Sequence, residues 1–374
     1  RSIFSLSESL SGRRNSRRLI LLRENWGQPV KRERNFERIS ALYRLNPPDA
    51  GEFSLDDRTW RDLEFDSIYS HIESCQSRLG RQFLYRMLRV TKLDNSGREY
   101  FYTRYRILEK EKSLREEAQL ILARLDNGAA DGVAGLLWAD LPPGPRFAFL
   151  FYLASAAAMV SLSLAFLHPL VLMAALAFGI CNIIINGTYF QRMDIHSGSL
   201  AALNAMLAAA QKLGNMSESH GLPQLEYLRR HAGTICAMRK KIGWLMRDKT
   251  AADNLLNMAV EFLNIFFLFD LLAFIRSLKH LKAYRNELRG VYEAVSSLDA
   301  EISVASWLAG QISICAPDFA AKGGLILENC VHPLIEDPVP NSVELAGESI
   351  LITGSNMAGK TTFIKTVGIN VVLA

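Results

Sequence analysis

Forty-five consecutive residues, Phe147 to Gln191, contain no Asp, Glu, Lys or Arg. A helix rises about 1.5 Å per residue, so about 20 residues cross the hydrocarbon layer of a bilayer. The stretch is long enough for two such spans, Phe147–Leu167 and Pro169–Gly187, joined by a tight turn at His168. We therefore predict a transmembrane helical hairpin over residues 147–190. A buried hydrophobic hairpin or a dimer interface is the alternative.

The edges of this stretch fit a membrane interface. Arg146 and Arg192 flank it, and aromatic side chains lie close to both boundaries. Basic residues and amphipathic aromatic rings are typical of the headgroup region. Because two spans return the chain to its starting side, we predict that both ends of the hairpin face the same compartment.

A second apolar stretch, Leu255 to Ile275, contains Glu261 and Asp270. A carboxylate near the centre of a bilayer costs roughly 2.5 to 3.5 kcal/mol. A third span would also put the two ends of the chain on opposite faces of the membrane. We therefore predict that this stretch is a buried part of a long helix.

Apolar residues recur at helical spacing from Asp253 to Ile302, which predicts a lever of about 75 Å with a bend at Gly290. The same spacing predicts helices over most of residues 51–126, with Gly80 as a bend between two of them. A separate, short, Ala-rich helix is predicted from Leu200 to Leu213. Most of the chain is therefore predicted to be helical.

Charge is unevenly distributed. The first 40 residues contain ten Lys or Arg against four Glu, although the whole chain carries a net charge of only +5. We predict a basic flexible tail over residues 1–50, with contact to anionic lipid headgroups or DNA phosphate as its functional alternative. A second basic cluster, Arg239 to Lys249, surrounds Trp244. A solvated helix face is the simpler interpretation of this cluster, and a contact with a phosphate backbone is the other.

The five cysteines show no metal-ligand spacing. Scattered cysteines of this kind are typical of reduced, mostly buried thiols in a cytosolic protein. The sequence therefore predicts neither a disulfide nor a zinc site.

Near its C-terminal end, the sequence contains the phosphate-loop pattern GxxxxGK[ST] after an apolar run, Ser349–Thr353. We predict a strand over residues 349–353, then the loop, then a helix. Glycines let backbone N–H groups turn towards phosphate oxygens at the positive end of a helix dipole. Lys360 is predicted to reach the phosphates, and the Thr361 hydroxyl is predicted to ligate Mg²⁺. The predicted nucleotide-binding residues are Gly354, Ser355, Asn356, Met357, Ala358, Gly359, Lys360, Thr361 and Thr362.

The motif Val331-His332-Pro333-Leu334-Ile335-Glu336, followed by a phosphate loop that contains Asn356-Met357, resembles the start of the ATPase domain of the MutS family of DNA mismatch-repair proteins. Residues 295–305 look like the end of that family's lever helix. The resemblance is close over residues 290–374 and loose elsewhere. Combined with the predicted hairpin, it implies a mainly α fold class: a helical lever and core domain with a transmembrane helical hairpin, followed by the start of an α/β P-loop (ABC-type) ATPase domain.

The predicted domain boundaries follow from these features. In chain order they are a basic flexible tail (1–50), a helical core domain (51–126), a linker (127–146), the transmembrane hairpin (147–190), a helical lever domain (191–320) and the N-terminal part of a MutS-type ATPase domain (321–374). We predict an inner, cytoplasmic-membrane protein whose tail, lever and ATPase domain lie in the cytoplasm, because ATP is available on that side.

The resemblance implies a membrane-anchored MutS-related protein that binds ATP and Mg²⁺, forms a homodimer through its ATPase domain and moves its lever with the nucleotide cycle. The Walker B carboxylates and the signature loop of the family are expected beyond Ala374, so hydrolysis is expected only of a longer chain. Where the family has an aromatic residue that stacks on adenine, this sequence has Val339 and Pro340, so weaker stacking is expected.

No segment resembles the family's mismatch-reading domain, so DNA binding is expected to be weak and not selective for mismatches. Two alternatives to a repair-related ATPase remain. One is a transport or signalling ATPase that uses a MutS-type module, and the other is a membrane scaffold that only binds nucleotide.

Overall fold

The computed structural model describes residues 15–92, 98–141, 145, 147–165, 168–216, 221–243, 262–319, 323–347, 349–355 and 359–374. These residues are mainly helical, as the sequence predicts, and they also form two small antiparallel sheets. Several predictions lie outside the described residues: those for Asn356, Met357 and Ala358 of the loop, for the start of the lever at Asp253, and for the end of the basic cluster around Trp244.

The N-terminal part of the chain forms a helical body with one small sheet. A helix over residues 15–24 precedes the first labelled element. The elements up to residue 138 are α1 (Phe36–Ile39), α2 (Ala41–Leu45), β1 (Glu52–Ser54), α3 (Asp57–Asp62), α4 (Phe65–Ile72), α5 (Arg78–Arg89), β2 (Val90–Lys92), α6 (Arg98–Lys110), α7 (Lys112–Leu122) and α8 (Val133–Trp138). The side chain of Asp56 caps α3 by accepting hydrogen bonds from the N–H groups of Arg58 and Thr59.

The apolar stretch forms two helices, and the second continues far into the helical body. The elements of this region are α9 (Ala148–Leu164), α10 (Pro169–Gly214), α11 (Pro223–Arg230) and α12 (Ala232–Gly243). With 46 residues, α10 extends about 70 Å. The prediction of a separate helix from Leu200 to Leu213 is therefore wrong. Leu203 and Leu207 are fully buried in the body, and this packing keeps the helix continuous through Gly198.

The predicted lever is not one continuous helix. Its described elements are a helical segment over residues 262–266, α13 (Phe269–Ala283) and α14 (Arg285–Ala309). The chain leaves helical geometry at Leu268, where φ is 56° and ψ is 25°, and again at Tyr284, where φ is −113° and ψ is 24°. The predicted bend at Gly290 is wrong, because Gly290 lies inside α14. The missing side chain of Gly290 instead leaves room for the hydroxyl group of Tyr227.

Helix α14 lies between the two largest clusters of buried apolar side chains. Val295, Leu298 and Ile302 belong to the larger cluster, together with side chains of α5, α7, α10 and α11. Ala300 and Val304 belong to a second cluster, rich in aromatic rings, that α3, α4 and α5 build. Because apolar residues of α14 are buried on several sides, the helix is the common support of both clusters.

Buried polar contacts fix α14 to the start of α5. The carboxylate of Asp299 accepts hydrogen bonds from the N–H and hydroxyl groups of Ser77 at 2.7 and 2.6 Å and from the N–H group of Gln76 at 2.9 Å. Gly80 lies inside α5, where any Cβ would overlap the Asp299 side chain. The predicted bend at Gly80 is therefore wrong, because this glycine permits close packing of two helices.

The N-terminal segment from residue 15 to residue 50 differs from the predicted flexible tail. The N–H group of Gly27 donates a hydrogen bond to the Ser306 hydroxyl of α14 at 3.1 Å. The guanidinium groups of Arg32 and Arg34 both pair with Glu73, whose side chain is fully buried. These contacts hold the segment on the body, because two charge-assisted partners offset the entropy lost on ordering.

The C-terminal region contains a small sheet and one helix. Its elements are β3 (Leu325–Cys330), β4 (Asn341–Leu345) and α15 (Lys360–Leu373). β3 and β4 pair with each other in antiparallel register. The strand predicted over residues 349–353 is wrong, since residues 349–355 form no regular element. No described strand lies beside this segment to bind its backbone groups, and Ile350 and Leu351 are exposed.

We expect Gly80→Ala to lower the free energy of unfolding by about 1 to 3 kcal/mol, because overpacking would force α5 away from Asp299. Gly135→Ala in α8 is the matched control, since an added Cβ there meets nothing within 4 Å. We expect this control to be neutral or stabilising by about 0.5 to 1 kcal/mol. Urea unfolding followed by tryptophan fluorescence measures both, and equal stabilities would contradict the close contact of α5 with α14.

Burial raises the pKa of Asp299 from 3.8 to about 6, against the opposing effect of its hydrogen bonds from Ser77 and Gln76. Between about pH 4 and 6 the folded protein therefore binds this proton more tightly than the unfolded chain, and stability falls as the pH rises through that window. The expected loss from this group is about 3 kcal/mol.

Asp299→Asn keeps the shape of the side chain and removes the titration, so we expect a smaller decline of stability across the same window. Burial also raises the pKa of Glu301, which contributes to the decline in both proteins. Urea unfolding at a series of pH values gives the comparison. A decline of equal size in the variant would rule out Asp299 as its source.

Candidate functional site

The predicted phosphate loop ends at the first residue of α15. Gly359 precedes the helix with φ of 75°, in the left-handed region that favours glycine. The first hydrogen bond of the helix joins the Phe363 N–H group to the Gly359 carbonyl at 2.9 Å. The N–H groups of the first turn have no acceptor within the helix, and the helix dipole adds partial positive charge there. This end of α15 can therefore accept an anion.

Lys360 folds back over the entrance of the loop. Its ammonium group donates hydrogen bonds to the carbonyl oxygens of Gly354 and Ser355, the second at 2.7 Å. Among the described residues, no carboxylate pairs with this ammonium group. A cation held only by neutral oxygens keeps its charge available for a phosphate group.

The structure describes six of the nine predicted nucleotide-binding residues. It brings Lys360 together with Gly354 and Ser355, and it exposes the side chains of Thr361 and Thr362 on the first turn of α15. An exposed hydroxyl group at this position can join the shell of a hydrated Mg²⁺ ion.

Helix α15 packs on the helical body through residues after its first turn, whereas the first turn itself is exposed. Ile369 is fully buried in the aromatic-rich cluster. Lys365 donates a hydrogen bond to the Glu64 carboxylate at 2.6 Å, which lowers the pKa of Glu64. Gly368 faces Leu63, and a Cβ at this glycine would come within 2.9 Å of a Leu63 methyl carbon. Helix α15 therefore rests on the turn between α3 and α4.

The histidine-proline motif after β3 supports the same helix. The Asn370 amide donates a hydrogen bond to the Val331 carbonyl at 3.0 Å. The ring nitrogen Nδ1 of His332 accepts one from the Leu334 N–H group at 3.3 Å, and burial lowers the pKa of His332. Leu334 packs against the aromatic-rich cluster. In this structure the motif thus positions α15.

The contact between α15 and the α3–α4 turn was not predicted from the sequence. A signal is present, because Lys365, Ile369 and Val372 follow the spacing of one helix face. That spacing shows which face of the helix makes a contact, but it does not show which part of the chain the face contacts. Glu64 lies 301 residues away along the chain, and only tertiary structure joins it to Lys365.

Of the two other predicted sites, the adenine-stacking position is described in full and the basic cluster only up to residue 243. Val339, at the position where adenine stacking is expected to be weak, is exposed, and its carbonyl accepts a hydrogen bond from the Asn341 side chain at 2.8 Å. In the basic cluster, Arg239 donates to the Gln211 side chain and Lys241 to the Tyr284 hydroxyl, both at 2.7 Å. These partners are uncharged, so neither hydrogen bond is an ion pair.

No protein-family model matches the chain. The chain is 35% identical over 109 residues to the DNA mismatch repair protein MutS of Staphylococcus haemolyticus, a match that covers 27% of this chain and 12% of that protein. It is 37% identical over 100 residues to the endonuclease MutS2 of Lactobacillus acidophilus, which covers 25% of this chain and 13% of the relative. It is 33% identical over 102 residues to the DNA mismatch repair protein MSH3 of Phaeosphaeria nodorum, with coverage of 25% and 9%.

The matched segments thus span about an eighth or less of the length of these curated relatives. The chain resembles MutS-family proteins over about a quarter of its own length. The resemblance predicted from the motifs is confirmed to this extent.

Proposed function

We propose that this chain serves as a MutS-related, ATP-binding membrane protein in which nucleotide binding displaces a helical lever. The observation that carries the proposal is the start of α15. There Lys360, without a carboxylate partner among the described residues, lies beside the carbonyl groups of Gly354 and Ser355 in a sequence of phosphate-loop type. The similarity to MutS proteins supports the same assignment.

The predicted residues have roles that their chemistry allows. Lys360 would bind the β- and γ-phosphates of ATP, and the N–H groups of the loop and of the first turn of α15 would bind phosphate oxygens. The Thr361 hydroxyl would ligate Mg²⁺, which usually keeps several waters. Bound Mg–ATP supplies a phosphoanhydride bond whose hydrolysis releases free energy. Thr362, exposed on the first turn of α15, would support the loop.

The packing of α15 suggests how the lever would respond. Ile369 of α15 and Val304 of α14 belong to the same buried cluster. Protein interiors are densely packed, so a shift of α15 on phosphate binding has to be accommodated by the neighbours of Ile369. We propose that α14 is the neighbour that transmits this shift.

The apolar hairpin supports a membrane anchor. The segment Leu170–Tyr189 of α10 is long and apolar enough to cross a bilayer, and most of its side chains are exposed. Helix α9 is shorter, with 17 residues, and packs against α10 with Phe151 on Tyr189. Large apolar side chains cover the outside of both helices, among them Phe149, Leu153, Met173 and Ile184. Soluble surfaces rarely expose an apolar patch of this extent, so we propose that lipid covers it.

A role in DNA mismatch repair is the second candidate, and the names of the relatives favour it. The charges of the N-terminal segment favour it less. Arg23 pairs with Glu116 at 2.7 Å, and Arg32 and Arg34 pair with Glu73. Cations already paired within the protein neutralise fewer DNA phosphates.

We expect Lys360→Ala in the full chain to weaken ATP binding by about 10- to 100-fold, which is the loss of one charge-assisted hydrogen bond of about 1.5 to 3 kcal/mol. Lys279→Ala is the matched control, because it removes the same charge from an exposed position of α13, outside the predicted site. Calorimetry with Mg–ATP measures both affinities. An unchanged affinity of Lys360→Ala would reject the proposed site.

We expect weak binding to duplex DNA, without preference for a mismatch. The logarithm of the affinity should fall linearly with the logarithm of the salt concentration. The slope should correspond to no more than about five phosphate contacts. Replacing Arg239, Lys240 and Lys241 by Gln should reduce this slope, whereas three Gln replacements at Arg58, Arg61 and Lys112 serve as the charge-matched control. A preference of about tenfold or more for mismatched duplex at physiological salt would instead favour the repair function.

A further inference from the structure

The helical segment that leads into α13 is broken at Leu268, next to its contacts with α9 and α10 of the apolar hairpin. Leu268 adopts the left-handed conformation, which costs an L-residue about 1 to 2 kcal/mol. The break removes the helical partners of two carbonyl groups, those of Phe266 and Phe267. Both carbonyls accept hydrogen bonds from the hairpin instead: the Asn182 amide donates to Phe266 at 2.8 Å, and the Ser155 hydroxyl donates to Phe267 at 2.6 Å.

The hairpin is shaped to hold this break. Asn182 is fully buried and Ser155 is 4% exposed, although both lie in helices whose other faces are apolar and exposed. Gly179 of α10 leaves room for the Phe266 ring, since any Cβ there would overlap it. Phe266 and Phe267 form a separate buried cluster with Ala158 of α9.

The position of the break along the hairpin indicates its depth. Ser155 lies eight residues after Phe147, which corresponds to about 12 Å of helix. Asn182 lies seven residues before Tyr189, or about 10 Å. In a hydrocarbon layer of about 30 Å, the break is therefore about a third of the way in from the side on which both helices reach the body.

Burial at this depth explains the two polar side chains. Phe266 and Phe267 are buried against α9 and α10, so water does not reach their freed carbonyls. In hydrocarbon, broken backbone is tolerated only where protein groups satisfy it, and each unsatisfied group costs several kcal/mol. Ser155 and Asn182 supply those donors at the place where α9 and α10 contact the break.

The segment also exposes apolar side chains one turn before Phe266, the residue that packs on the hairpin. Phe262 is 58% exposed and Leu263 45% exposed on the outer side of residues 262–266. Asp270, two residues after the break, is half-buried and makes a polar or electrostatic contact. From there α13 enters the main core through Leu278 and Leu281.

We propose that residues 262–283 form a re-entrant membrane element, a broken helix that enters the acyl-chain region beside α9 and α10, is capped there by Ser155 and Asn182, and returns to the body through α13. The proposal rests on the proposed membrane anchor. It revises the prediction that this stretch is only a buried part of the lever. It also puts the segment that precedes α14 in contact with lipid.

Quenching of a fluorophore by spin-labelled lipid tests the proposal in the full chain reconstituted in phosphatidylcholine vesicles. The probe is attached to Cys in Leu263→Cys, with the exposed Cys181 and Cys315 and the half-buried Cys236 replaced by Ser. Two reference proteins keep Cys181 of the hairpin or Cys315 of the body as the labelled site. We expect quenching at residue 263 to match that at Cys181 and to exceed that at Cys315 by about threefold or more.

The two reference sites distinguish failure of the re-entrant element from failure of the membrane anchor. Lipid quenching at Cys181 but not at residue 263 would overturn the re-entrant element and leave the anchor standing. Equal, low quenching at Cys181 and Cys315 would reject the anchor, and with it the re-entrant element.

Ser155→Ala combined with Asn182→Leu tests the capping role. We expect this double variant to reduce quenching at residue 263 to the level of Cys315 while quenching at Cys181 is unchanged. Ser163→Ala is the matched control, because the Ser163 hydroxyl donates only to the Met159 carbonyl of its own helix. Unchanged quenching at residue 263 in the double variant would overturn the role of the two caps.

Discussion

Buried charge on α14 imposes the strictest requirement in the fold. A carboxylate removed from water without partners costs several kcal/mol, so each one fixes the groups around it. Asp299 takes its three hydrogen bonds from Gln76 and Ser77, at the start of α5. Glu301, two residues further along, accepts from Arg104 of α6 at 3.0 Å and from Gln224 of α11 at 2.8 Å. Three helices from distant parts of the chain are thereby placed around α14, and the apolar clusters fill the space between them.

This arrangement connects α14 with both proposed functional regions. Near its C-terminal end, Val304 shares a cluster with Ile369 of α15, the helix that begins at the predicted phosphate loop. At its N-terminal end, only Tyr284 separates it from α13, which leads back to the break at Leu268 inside the apolar hairpin. Coupling between distant sites needs packed elements that both sites can bias. The two helices meet this condition, since α13 and α14 both have fully buried residues in the main core.

Features with a local cause could be predicted from the sequence. The absence of charge from Phe147 to Gln191 predicted two apolar helices, and the loop motif predicted a resemblance that similarity to MutS proteins confirms over about a quarter of the chain. The failures share a different cause. The sequence predicts bends at Gly80 and Gly290. In the structure, each glycine instead makes room for a side chain more than 60 residues away along the chain. The strand expected over residues 349–353 depends on a neighbouring strand, and spacing within one segment cannot supply that partner.

Prediction from charges counted along the sequence has the same limitation. The excess of Arg and Lys in the first 40 residues suggested a solvated tail, yet Arg32 and Arg34 converge on the buried Glu73, and Arg23 reaches Glu116. A sequence count treats all these cations as free, although burial of Glu73 requires at least one of them to be paired. The basic character of this segment therefore contributes to its attachment on the body. The same reasoning applies to Ser155 and Asn182 in the hairpin, where polar residues within an apolar stretch are explained by the backbone that they contact and not by their own sequence neighbours.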